Sequence, residues 1–192
     1  IKHECGIALI RLRKPLSYYK EKYGTSLYGI QKLYLLMEKQ HNRGQDGAGA
    51  ASLKLGPQLG MPYFDRYRSN SKSPIRDLFD HIHGKIDIAS AKSLDELRLR
   101  PFMGNIFLGH LRYGTYGGSS IEYVHPVMRS SNWLSRNLVL AGNFNLTNAG
   151  EIFNNLVEIG QLPRDRSDTV TVLEKIGYYL DKENQRIYRH YK

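Results

Sequence analysis

Apolar and polar positions alternate between two rhythms along this chain. Gly6-Ile7-Ala8-Leu9-Ile10 is a continuous apolar run with β-branched members, the pattern of a strand buried on both faces. Residues 14–26 are polar and contain Pro15 and Gly24, which reads as a loop. Leu27, Ile30, Leu33, Tyr34 and Met37 then recur at helical spacing, predicting an amphipathic helix that ends near Asn42. Three glycines within Gly44–Gly49 predict a tight turn into a strand at about 50–55. Residues 56–103 are rich in Gly, Pro, Ser and Asn, read as an insertion between strands, and carry a helical pattern only around 74–82. A strand follows at 105–112, with a turn at 113–118 and another strand at 138–142. Two helices close the pattern: one over 149–159, stopped by Gly160 and Pro163, and one from Ser167-Asp168 to about Leu180. Strands clustered between helices predict an α+β layered fold.

Composition narrows the picture only a little. The 192 residues suffice for one domain with a real core, and no stretch approaches the ~18 apolar residues that cross a bilayer. The first residues lack the apolar segment of a secretory signal, so a cytoplasmic location is expected. One cysteine excludes an internal disulfide and an all-cysteine metal site. His81 and His83 have no third ligand nearby, so neither a metal nor any other cofactor is expected. The net charge of +10 would suit an anionic partner, yet the basic residues are scattered from Arg11 and Arg13 through Arg98 and Arg100 to Arg186 and Arg189. Scatter of that kind is the pattern of a solvated surface.

Four polar side chains stand at strand ends or helix starts: Cys5, Arg112, Asn143 and Asp168. Singly each has an ordinary structural explanation. Together they supply what amide hydrolysis needs: a thiol nucleophile, an oxyanion donor, and opposite charges for the carboxylate and ammonium of an amino acid.

The runs around these residues resemble an ordered family signature. Cys5-Gly6-Ile7, His41-Asn42-Arg43-Gly44-Gln45-Asp46-Gly47-Ala48-Gly49, Gly109-His110-Leu111-Arg112-Tyr113-Gly114-Thr115, Gly142-Asn143-Phe144-Asn145-Leu146-Thr147-Asn148 and Ser167-Asp168-Thr169 look like those of class II, N-terminal nucleophile, glutamine amidotransferases. The Arg-Gly-Gln-Asp run and the Asn-Leu-Thr-Asn ending are most similar to the amidophosphoribosyltransferase subfamily. The resemblance implies a four-layer αββα sandwich. It implies that Cys5 attacks the glutamine amide, with the side-chain amide of Asn143 and the backbone N–H of Phe144 forming the oxyanion hole. Arg112 would hold the substrate carboxylate and Asp168 its ammonium, while Arg43 braces the site and Thr115 lies near the substrate.

In that family the base is the cysteine's own α-amine, whose pKa of about 7.7–8.0 leaves it substantially neutral at physiological pH. Two departures stand out. Residues 1–4 precede Cys5 and read as a leader or propeptide, leaving 5–192 as the glutaminase domain. Phe144 stands where the family usually has glycine, and Gly142 where it often has histidine, so strain is expected at Phe144. The implied partners are glutamine and a downstream synthase domain, absent from these residues, that uses the ammonia. No membrane or nucleic acid is expected, and a homo-oligomer is left open. Two other readings stay open: a silent regulatory relative, marked by failure of a glutamine analogue to label the thiol, and a basic nucleic-acid-binding domain, marked by steeply salt-dependent binding.

Overall fold

The apolar run at the start of the chain forms strand β1, Gly6–Arg11, paired antiparallel with β4, Ile106–Arg112. Strand β2, Gly47–Leu53, lies on the other side of β4, and β3, Phe64–Ser69, pairs with β2 at the edge. The sheet order is therefore β1-β4-β2-β3, every neighbour antiparallel. These relationships come from a computed structural model that describes residues 4–56, 58–114 and 120–191. The chain divides into two compact units, Ile1–Pro126 and Val127–Lys192.

In the first unit, helix α2 (Tyr28–Lys39) packs on β1 and β4, and α3 (Pro74–Ile86) on β2 and β3. Ile30, Leu33 and Met37 form the buried stripe of α2, and Leu78, Ile82 and Ile86 that of α3. They meet Leu111 and Phe107 of β4 in one core. The stretch 56–103 supplies β3, α3 and the short helix α4 (Leu94–Leu99), so much of this core is built from it.

Two expectations fail in this unit. Residues 14–26 are not a loop, because α1 occupies Leu16–Tyr23. Pro15 is its N-cap and Gly24, at φ +73°, its C-cap, so the residues read as breakers mark the ends of a helix. Nor is β1 buried on both faces. Ala8 faces the helices, whereas Ile7 and Leu9 are 51% and 67% exposed. The helices cover one face of the sheet. On the other, Val124 and His125 lie against Gly47 and Gly49 of β2, away from β1.

The second unit is a hairpin of β5 (Val127–Arg129) and β6 (Leu138–Leu140) with helices α5 (Ala149–Glu158) and α6 (Asp168–His190). Val127, Val170 and Leu173 form its small core against Leu138 and Leu140. Arg129 ties hairpin to helix, its Nε 3.2 Å from Glu174 and its Nη2 2.5 Å from Asp181. Helix α6 extends ten residues past the expected end at Leu180. That extension carries good helix formers, and Arg186 pairs with Glu183 one turn away, but it lacks the apolar stripe from which the end was read. No helix among the described residues is long and apolar enough to cross a membrane.

Candidate functional site

Cys5 immediately precedes β1 and is partly exposed. The register pairs Gly6 with Leu111, so continuing it by one residue sets Cys5 opposite Arg112. Residues directly opposite in an antiparallel pair point to the same face, about 4.5–5.5 Å apart at Cβ. The nucleophile and carboxylate-clamp candidates thus share one end and one face of the sheet. Arg112 is 5% exposed, and its guanidinium lies over the Tyr123 ring, 5.3 Å from the centroid. Stacking of that kind suits the planar guanidinium of arginine better than an ammonium.

Strand β1, which Cys5 immediately precedes, is held by Gln40, a residue that belongs to none of the motif runs. β1 is an edge strand, which leaves backbone groups without a sheet neighbour. The Gln40 carboxamide takes the neighbour's place at Ile7. Its Oε1 accepts from the Ile7 N–H at 3.1 Å, and its Nε2 donates to the Ile7 carbonyl at 3.1 Å. A third bond, from Nε2 to the Leu36 carbonyl, fixes the side chain to α2.

The run from His41 to Asp46 folds against the end of β4. His41–Arg43 makes a single 3-10 turn, and a Cβ on Gly44 would lie 2.7 Å from backbone atoms of Leu111 and Arg112. Only glycine fits there. Asp46 donates its N–H to the Arg112 carbonyl at 3.1 Å and accepts from Gly114 N–H at 2.7 Å through its carboxylate. Arg43 projects to solvent and pairs with Glu4 at 3.5 Å. With both side chains more than half exposed, that pair contributes little stability. Thr115 lies outside the described residues.

The remaining candidates belong to the second unit. Asp168 is the first residue of α6, whose N-cap Ser167 accepts from Val170 N–H at 3.3 Å. A carboxylate in the first turn suits the positive end of the helix. The same carboxylate accepts from Leu146 N–H at 2.7 Å, which ties the segment that follows Asn143 and Phe144 to the helix. Asn143 is exposed. Phe144 does not occupy the left-handed region, where among the described non-glycine residues only Asp87 and Phe102 lie, so the expected strain is absent. Its ring instead folds over Gly142, where an added Cβ would come within 2.7 Å of two ring carbons. The aromatic ring thus occupies the space that a side chain at 142 would need.

Elsewhere, His81 stacks on Tyr67 with centroids 3.7 Å apart, and burial there pushes its imidazole below the ordinary range. Among the described residues no group of three or more His, Cys, Asp or Glu side chains converges as a metal site.

Similarity to known proteins runs in one direction. No family model matches the chain. It is 27% identical over 143 residues to the amidophosphoribosyltransferase of Lacticaseibacillus casei, covering 74% of this chain and 61% of that protein. It is 28% identical over 176 residues to the chloroplastic amidophosphoribosyltransferase 2 of Arabidopsis thaliana, covering 92% and 25%. With the amidophosphoribosyltransferase of Pasteurella multocida it shares 28% over 179 residues, covering 92% and 28%. The chain thus spans less than two thirds of each of these relatives. Its fold is similar to a solved structure of the allosteric regulatory enzyme of purine biosynthesis, with a TM-score of 0.53 and 22% identity over 88% of this chain and 28% of that one.

Proposed function

The chain belongs among the glutamine amidotransferase domains of the amidophosphoribosyltransferase type, and on that premise we propose that it hydrolyses the side-chain amide of glutamine through a Cys5 thioester. The observation that carries the reading is the pairing of Gly6 with Leu111, which sets their neighbours Cys5 and Arg112 at the same end of the sheet. Arg112 there takes the substrate carboxylate in a two-pronged ion pair. Asp168 takes the ammonium, Arg43 braces the loop beside the nucleophile, and Thr115 contacts the substrate.

The Cys5 amine, once free, accepts the thiol proton as Sγ bonds to the amide carbon. Asn143 Nδ2–H and Phe144 N–H donate to the oxyanion that forms. As the tetrahedral intermediate collapses, the C–N bond breaks and the ammonium proton passes to the leaving nitrogen, giving ammonia and a γ-glutamyl thioester. Water, deprotonated by the same amine, then attacks the thioester and releases glutamate and the thiol. The released ammonia serves a synthase domain of the same protein, for phosphoribosylamine formation in purine biosynthesis, and the fold completes a four-layer αββα sandwich.

The test is ammonia release from glutamine, with trapping of Cys5 by a glutamine analogue bearing a chloroketone in place of the amide. Cys5→Ala should abolish both, and glutamine should protect the wild-type thiol. Arg112→Lys should raise KM by about tenfold or more, the equivalent of about 1.5–3 kcal/mol for a bond to a charged group. Labelling that glutamine does not slow would overturn the assignment.

A further inference from the structure

The basic residues that look scattered along the sequence are gathered by the fold. Arg11, Arg13 and Lys14, where β1 leads into α1, and Arg98, on α4, line one cavity of about 400 Å³ in the first unit. They meet because β1 and β4 run antiparallel: Arg11 pairs with Ile106, and Leu12 N–H donates to the Asn105 carbonyl at 2.7 Å. The cavity lies at the opposite end of β1 from Cys5, roughly 20 Å away at about 3.3 Å per residue. Its position is therefore independent of the glutamine site.

Four cations and no carboxylate line this cavity. None of the four forms an ion pair among the described residues, although Lys14 approaches the Tyr18 ring at 6.0 Å. Asn105 also lines the cavity, and its Oδ1 accepts from Leu55 N–H at 2.9 Å. Met103, 3% exposed, contributes an apolar wall. Pro15 and Leu16, at the start of α1, also line the space, and the first turn of that helix carries no acidic residue.

We propose that this cavity binds a small phosphorylated compound through its phosphate groups. Guanidinium forks match phosphate oxygens in pairs, and three of the four cations are arginines. A volume of about 400 Å³ lies in the ordinary range for small-molecule sites. The four cations lie around a single half-open cavity, whereas a nucleic-acid backbone is tracked by an extended stripe of charge. Uncompensated like charges also mean that a bound phosphate relieves repulsion within the pocket, so binding stabilises the fold.

The experiment is calorimetric titration and thermal melting of the full chain in buffer free of phosphate and sulfate. Pyrophosphate, glycerol 3-phosphate and a twenty-nucleotide single strand serve as probes. Pyrophosphate is expected to bind one to one and raise the melting temperature. Tighter binding of glycerol 3-phosphate would identify an ester, held also by the apolar wall, as the natural class. Arg13→Glu/Arg98→Glu, at two exposed positions, should weaken either small ligand at least tenfold without lowering the ligand-free melting temperature. Protein alkylated at Cys5 should bind as the untreated protein does, which separates this outcome from that of the glutamine site. Absent saturation, or equal binding by the double variant, overturns the proposal. So does a strand that binds with a steep salt dependence and that pyrophosphate fails to displace, because the charge would then serve a polymer.

Discussion

The carboxylate of Asp168 accepts a 2.7 Å hydrogen bond from the backbone N–H of Leu146, three residues beyond Asn143. One side chain thus holds the segment that carries the proposed oxyanion donors and supplies the charge proposed to bind the substrate ammonium. The two duties separate by substitution. Asp168→Asn keeps an oxygen for Leu146 and loses the charge, so KM for glutamine should rise about tenfold or more with kcat and melting temperature little changed. Asp168→Ala removes the tie as well, and kcat should fall too. An unaltered KM in Asp168→Asn would confine the carboxylate to holding the loop.

Gly142 and Phe144 should behave as a coupled pair. A methyl at 142 meets two ring carbons at 2.7 Å, and overpacking of that kind costs about 1–3 kcal/mol. Gly142→Ala should therefore lower the melting temperature, and adding Phe144→Ala should restore part of the loss. Denaturant unfolding of both single variants and the double variant measures the coupling, and strictly additive losses would mean that the ring does not fill that space in solution.

Gln40 is expected to act on turnover through position. Gln40→Ala removes both bonds to Ile7 and frees the edge of β1 two residues from Cys5, the proposed nucleophile. Amide exchange at Ile7 should accelerate and kcat should drop several-fold, while KM stays near the wild-type value. Unchanged exchange at Ile7 would show that the strand holds its place without the carboxamide.

The fourth prediction concerns residues 1–4. With those residues attached, the Cys5 nitrogen is an amide and carries no basic lone pair. Protein beginning at Cys5 should release ammonia about 10²–10⁴-fold faster than protein that keeps residues 1–4, the usual contribution of a general base. Mass spectrometry verifies each N-terminus before rates are compared. Equal rates would assign the proton to another group and remove the terminal amine from the mechanism.

Most of the first unit was legible where local pattern decides structure. The stripe Ile30, Leu33, Met37 announces α2, and the apolar runs announce β1 and β4. Helix α1 was missed because Pro15 and Gly24 are equally at home in a loop and at the two ends of a helix, and no strong apolar stripe lies between them. Strand β3, Phe64-Asp65-Arg66-Tyr67-Arg68-Ser69, is too charged to read as a strand, and it is the edge position that tolerates such a sequence. Candidate site residues could be read because they sit in ordered runs. Gln40 could not, since its part depends on an unpaired strand edge 33 residues away in sequence. The basic cavity was hidden for the same reason: Arg13 and Arg98 stand 85 positions apart in sequence and come to line one cavity only in the fold.

Asp46 grips both sides of the Arg112–Gly114 corner, which lies about a third of the chain further on. Neither segment can open without breaking bonds held by the other, so their amides should lose protection from solvent as a single cooperative unit. A ligand held by Arg112 would then slow deuterium uptake around residue 46 without touching it. The stretch that follows α2 would serve as a remote reporter of occupancy.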